Sequence, residues 1–208
     1  MRMLRVLIVS LVFLLELAFV IIFVDADGGR HRIDAERRAV AAVMGWQTDE
    51  LLVRRSNQVF TSLFIRSGAV ETSYSRLLPQ PGDNSRGQLN LAPWAFRWLR
   101  HRIDAFWIVA WQAIYRSQIM LIWWPLAALL SSVALIDGSV ERQVRRCEYR
   151  LSSNDQYTLA RRVLLILTFA PCFYVFAPLH VGAYCIPVGI GVIAFATWLT
   201  AAHAQHEL

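Results

Sequence analysis

Residues 117–136 read SQIMLIWWPLAALLSSVALI, twenty consecutive positions without a charge. At 1.5 Å per residue, a helix of that length is about 30 Å long, the thickness of a bilayer's hydrocarbon core. The stretch therefore reads as a membrane span. Two further apolar blocks, Leu4–Val24 and Val163–Ala202, flank it at a distance, and charge-rich segments separate the three. Of the 208 residues 56% are hydrophobic and only 17% charged, with a mean hydropathy of +0.41. A soluble domain is about half apolar and a quarter charged. This balance excludes a secreted disulfide scaffold, a disordered chain and an ordinary cytosolic enzyme.

Just upstream of the span stand Trp94, Trp98, Trp107 and Trp111, and Trp123-Trp124 interrupt it. Tryptophan concentrates at headgroup level, where its ring is shielded and its N–H finds a partner. Residues 105–136 are accordingly predicted to be an interfacial helix running into the second span. Downstream, Val140, Val144 and Cys147 continue a helical stripe opposite Arg142, Arg145, Arg146 and Arg150. Residues 137–162 hold six arginines against four acids in a loop short enough for the positive-inside rule.

The first block, residues 1–24, follows Arg2 and Arg5 and is too long for a cleaved signal core, so it reads as an uncleaved anchor. The last region, 163–208, contains the 40-residue apolar block Val163–Ala202, enough for a hairpin turning at Pro178-Leu179-His180. The expected fold is all-α and polytopic, with four spans and both termini cytoplasmic in an inner membrane. Residues 25–104 then form a helical segment outside the cytoplasm.

Within that segment, Ile33-Asp34-Ala35-Glu36 predicts a helix start with Asp34 as cap. Gly45 predicts a break, and Thr48-Asp49-Glu50 a second start that continues through Leu52, Phe60 and Phe64. Leu77–Gly87 reads as a loop, and Pro93 suits the first turn of the next helix. No strand alternation is present.

Residues that could carry chemistry are few. Glu16 lies mid-span in the first block, where a carboxylate is costly and marks either a packing contact or an ion path. Packing is the plainer role, because a lone carboxylate without relay partners makes a poor pathway. Arg116, at the outer end of the second span, is a candidate partner for Glu16. Gly182 and Gly189 in the last block suit close helix approach. Arg142, Arg145, Arg146 and Arg150 suit lipid phosphates or a protein partner; direct nucleic-acid contact is not expected. No P-loop, nucleophile elbow, zincin motif or carboxylate pair is present, and three scattered cysteines offer no ligand spacing. No catalytic residue, cofactor or metal is expected.

From Pro125 through Leu135-Ile136-Asp137-Gly138 to Arg145-Arg146, the sequence resembles the integrating-conjugative-element membrane protein family. In that family a long span ends in such a motif and is followed by an arginine-rich helix, a polar break and a hydrophobic hairpin. The resemblance implies a non-enzymatic part in conjugative DNA transfer beside a larger membrane subunit, the coupling protein first among them. A small transporter or channel lined by Glu16 and Arg116 is the alternative of another class, and an exclusion protein of the same mobile element is a third. Oligomerisation is left open.

Overall fold

A computed structural model describes residues 26–78, 93–147, 162–164, 166, 170–171, 173–176, 182 and 184–203. Among these residues the chain is helical almost throughout and contains no strand. Five α-helices are defined: α1 (Ala26–Met44), α2 (Trp46–Phe60), α3 (Ala69–Leu77), α4 (Pro93–Cys147) and α5 (Cys185–His203). A π-helical turn, Thr61–Ile65, extends α2.

Two compact units form. The described residues up to Gln118, with Tyr174–Phe176 and Gly182, make the first. Ile119–Cys147, the described residues of 162–173 and Tyr184–His203 make the second.

In the first unit, α1 begins at Ala26, eight residues before the expected cap. Asp34 lies inside the helix, its carbonyl accepting from Arg38 Nε at 3.2 Å. Gly28-Gly29 weakens a helix by propensity alone. Tertiary packing overrides it here, because a Cβ on Gly29 would stand 3.0 Å from Ile108 Cγ2. The break at Gly45 is where the sequence places it, with φ +86°, a conformation open to glycine at little cost. Helix α2 starts at Trp46, so Asp49 lies one turn inside rather than at the cap. A second left-handed glycine, Gly68 at φ +73°, ends the π-turn and separates α3, a break that the apolar periodicity does not reveal.

Helix α4 starts at Pro93 as expected and runs 55 residues through Pro125 and the Asp137-Gly138 motif. That is more than twice what one bilayer crossing requires. Two described helices are long and apolar enough to cross a membrane, Trp94–Arg145 of α4 and α5. The first block with Glu16, the turn at Pro178-Leu179-His180 and the polar break after Arg150 lie outside the described residues.

In the second unit, apolar side chains face outward. Trp124 is 69% exposed and Ile136 65%, with Leu121, Leu129 and Val133 similarly bare. On α5, Val188 and Phe195 are exposed too. Helices α4 and α5 meet where Asp137 and Gly138 touch Trp198–Ala202 and Arg145 touches His203. In an antiparallel pair, a residue two turns beyond Gly138 would face one before Trp198, not one after. The two helices therefore run in the same sense.

Candidate functional site

The densest polar chemistry among the described residues is buried in the first unit. On α1, Gly29, Ile33, Glu36 and Val40 recur at helical spacing and turn inward, which carries a carboxylate into the core. Glu36 is 2% exposed and Arg116, reaching it from α4, is 0% exposed. Arg116 Nε donates to Glu36 Oε1 at 2.8 Å, and its Nη2 donates to Oε2 at 2.9 Å. This forked geometry fits a planar guanidinium to a planar carboxylate. One turn earlier on the same face, Gln112 Nε2 donates to Oε2 at 2.8 Å. Arg116 Nη1 donates to the Tyr174 carbonyl at 2.8 Å, and the guanidinium lies 5.1 Å from the centre of the Tyr174 ring.

A second node adjoins it. Arg37, next to Glu36 on α1, donates from Nη2 to Asp49 Oδ2 at 2.8 Å, while the Tyr115 hydroxyl donates to Oδ1 at 2.6 Å. Hydrogen bonding and charge from Asp49 hold the Arg37 guanidinium above its ordinary range, against the opposing effect of burial. Adjacent residues of opposite sign on α1 thus take opposite partners, Glu36 an arginine and Arg37 an aspartate.

The arrangement is one of saturated carboxylates. Both oxygens of Glu36 and both of Asp49 accept hydrogen bonds from side chains of the same unit. A general base or a metal ligand needs a lone pair open to substrate or ion. Held this way, these oxygens fix α1, α2 and α4 in register, and unpairing either buried charge would be expensive.

The second unit has its own meeting point at the Asp137-Gly138 motif. A Cβ on Gly138 would stand 2.6 Å from the Trp198 carbonyl oxygen and 2.9 Å from Ala201 Cβ, so only glycine fits. Trp198 Nε1 donates to Asp137 Oδ2 at 2.8 Å. Arg145 Nε donates to Glu141 at 2.7 Å, and its Nη1 donates to His203 Nε2 at 2.7 Å. An arginine has no acceptor, so the His203 proton sits on Nδ1, which donates to the Leu199 carbonyl.

The sequence-derived candidates distribute as follows. Arg116 is central to the first cluster, with Glu36 as its described carboxylate partner; Glu16 lies outside the described residues. Close glycine approach occurs at Gly138 and Gly29, whereas a Cβ on Gly182 or Gly189 would meet nothing within 4 Å among the described residues. On the end of α4 the apolar stripe is the more exposed side. Val140 and Val144 are exposed, while Arg142 and Arg145 are partly buried, Arg142 Nε without a partner among the described residues. The Arg146 side chain and all of Arg150 lie outside the description. No group of three metal-ligating side chains forms among the described residues.

Sequence reasoning missed Glu36 and Asp49, which resemble helix-start acids. The available signal was position: Glu36 falls on the same helical face as Ile33 and Val40, and a carboxylate on an apolar face needs a buried cation.

A family model described as "IncC plasmid conjugative DNA transfer protein DtrJ-like" matches residues 24–205. No curated protein and no solved structure matches the chain. With nearly its whole length matched, the chain belongs to this DtrJ-like family of conjugative DNA transfer proteins.

Proposed function

We propose that this chain is a multi-pass inner-membrane subunit of the conjugation apparatus, acting by binding a larger subunit rather than by catalysis. The coupling protein is the partner of choice. The family match over residues 24–205 is the observation that carries the reading, since it ties nearly the whole chain to conjugative DNA transfer. The exposed apolar flanks of α4 and α5 support membrane placement, because uncovered surface of that extent is not stable in water. Their common direction supports a further crossing between them, which fits four spans. The arginines of 137–162 then set the cytoplasmic side. A structural rather than catalytic role accords with carboxylates whose lone pairs are engaged within the protein.

Beyond Ile136 the exposed Val140 and Val144 continue an apolar ridge out of the span, a surface suited to a partner helix. Reporter fusions at Ser153 and Asn84 should report opposite compartments; the same compartment for both would sink the four-span model. Deleting the gene should abolish DNA transfer, and purifying the coupling protein from detergent should bring this chain along. Val140→Glu with Val144→Glu, in a protein that keeps its topology, should reduce that co-purification. Normal transfer from the deletion strain overturns the reading.

A further inference from the structure

The first three turns of α4 present a face on which aromatic and basic side chains interleave. Trp94, Arg97, Trp98 and His101 recur at spacings of three and four, which brings them to one side of the helix, and all four are exposed. Trp94 is 67% exposed and Trp98 52%, whereas Phe96 and Leu99 on the opposite side are half-buried. Arg100, also exposed, flanks the face on one side. Arg102 flanks it on the other, its guanidinium 5.5 Å from the centre of the Trp98 ring. From Pro93 to Ile103 there are three arginines and no acid. The next residue, Asp104, has its Oδ1 engaged by the Tyr74 hydroxyl, which donates to it at 2.5 Å. Neither Arg97 nor Arg100 enters an ion pair among the described residues.

A bilayer does not account for these two indoles. Trp98 and Trp94 precede Ser117, where the uncharged stretch begins, by 19 and 23 residues of unbroken helix. That is about 29 and 35 Å, and a tilt of about 40° still leaves Trp98 about 22 Å out. A headgroup layer reaches only about 5–8 Å beyond the hydrocarbon. The face therefore meets a partner in water. We propose that it binds single-stranded DNA, with bases stacked on Trp94 and Trp98 and phosphates held by Arg97 and Arg100. Unpaired bases offer a π-face to an exposed indole, whereas a duplex keeps its bases stacked on one another. The two indoles lie one turn apart, about 6 Å along the helix, which suits successive bases of an extended strand. Guanidiniums beside them match a phosphate backbone in charge and in planar donor geometry. An acidic polypeptide would satisfy the arginines and leave the indoles bare. The inference rests on the conjugation reading, which makes DNA the polyanion at hand. It departs from the expectation of no direct nucleic-acid contact, which was drawn from the arginines after Asp137 and not from this face.

The test uses the full chain purified in detergent and the fluorescence anisotropy of a labelled oligothymidylate of about 20 nucleotides, beside a duplex of equal length. At equal salt the single strand should bind at least about fivefold more tightly, the worth of one base stack. Poly-glutamate of equal charge should bind more weakly by at least about the same factor, having no base to stack. Trp94→Ala should weaken binding of the strand at least about fivefold and Trp94→Phe much less, both with the parent's unfolding midpoint. Arg97→Gln with Arg100→Gln should reduce the slope of log K against log salt by about 1.4, the share of two single-strand phosphate contacts. Equal affinity for strand and duplex, a Trp94→Ala protein that binds like the parent, or an unchanged salt slope each overturns the face as a DNA site. Poly-glutamate bound as tightly as the strand overturns it in favour of an acidic protein. A deletion strain that loses transfer, with a purified chain that ignores the oligothymidylate, overturns this face alone. A deletion strain that transfers normally overturns the conjugation reading on which it rests.

Discussion

The two units are held by opposite means. The first has charges at its centre: Glu36, Arg37, Asp49 and Arg116 pair among themselves, with Gln112 and Tyr115 completing their hydrogen bonds. The second is held by the absence of a side chain, since Gly138 lets α4 lie against the backbone of α5. A charge network is directional and intolerant of losing one member. Backbone contact is tolerant of its surroundings but not of added volume. The same chain uses electrostatic registry where it has helices of mixed polarity and steric fit where its helices are uniformly apolar.

The sharpest test of that contrast is Arg116→Met. It leaves Glu36 buried and unpaired and should cost about 3–5 kcal/mol in detergent unfolding followed by tryptophan emission. Adding Glu36→Leu should recover most of the loss, because a buried ion pair is often replaceable by apolar groups of similar volume. If the single variant unfolds like the parent, the charges do not organise the first unit.

Gly138→Ala comes next. The added methyl meets a carbonyl oxygen rather than a flexible side chain, and overpacking of this kind costs about 1–3 kcal/mol. Gly189→Ala, facing open space, should be neutral or stabilising by up to about 1 kcal/mol through helix propensity. Equal effects at the two glycines would erase the distinction drawn for the second unit.

The smallest effect concerns pH. The folded phenol of Tyr74 titrates at about 12, above its ordinary 10. Its hydrogen bond to Asp104 therefore contributes fully below pH 10 and is lost as pH rises through 12. Unfolding midpoints should fall between pH 10 and 12, and Tyr74→Phe should flatten part of that fall because its midpoint is already lowered at neutral pH, where the bond to Asp104 is lost. A parent protein insensitive over that window would remove Tyr74 from the first unit's polar framework.

These contrasts were only half legible in the sequence. The all-helical class, the break at Gly45 and the start at Pro93 follow from local chemistry: a flexible residue, a fixed φ and a long uncharged run. The Ile136-Asp137-Gly138 stretch also stands out, through its resemblance to conjugation proteins. The centre of the first unit does not, because Glu36 and Arg116 are 80 residues apart and neither announces its partner. An acid near a helix start is so common that Glu36 and Asp49 pass as caps. A glycine in an apolar helix reads as a contact point wherever it falls; among the described residues close approach occurs where a neighbouring helix passes, at Gly29 and Gly138.

One element, α4, belongs to both units: its residues to Gln118 to the first, those from Ile119 to the second. Mechanically it is a shaft, stiff in torsion because every turn is bonded to the next. Pro125 is the exception, since it donates no bond to the carbonyl four residues back and its ring crowds that carbonyl. Within the second unit that compliant step precedes Gly138, where a helix face that admits only glycine leaves little angular play, so bending is absorbed at Pro125 and rotation is resisted at the seam with α5.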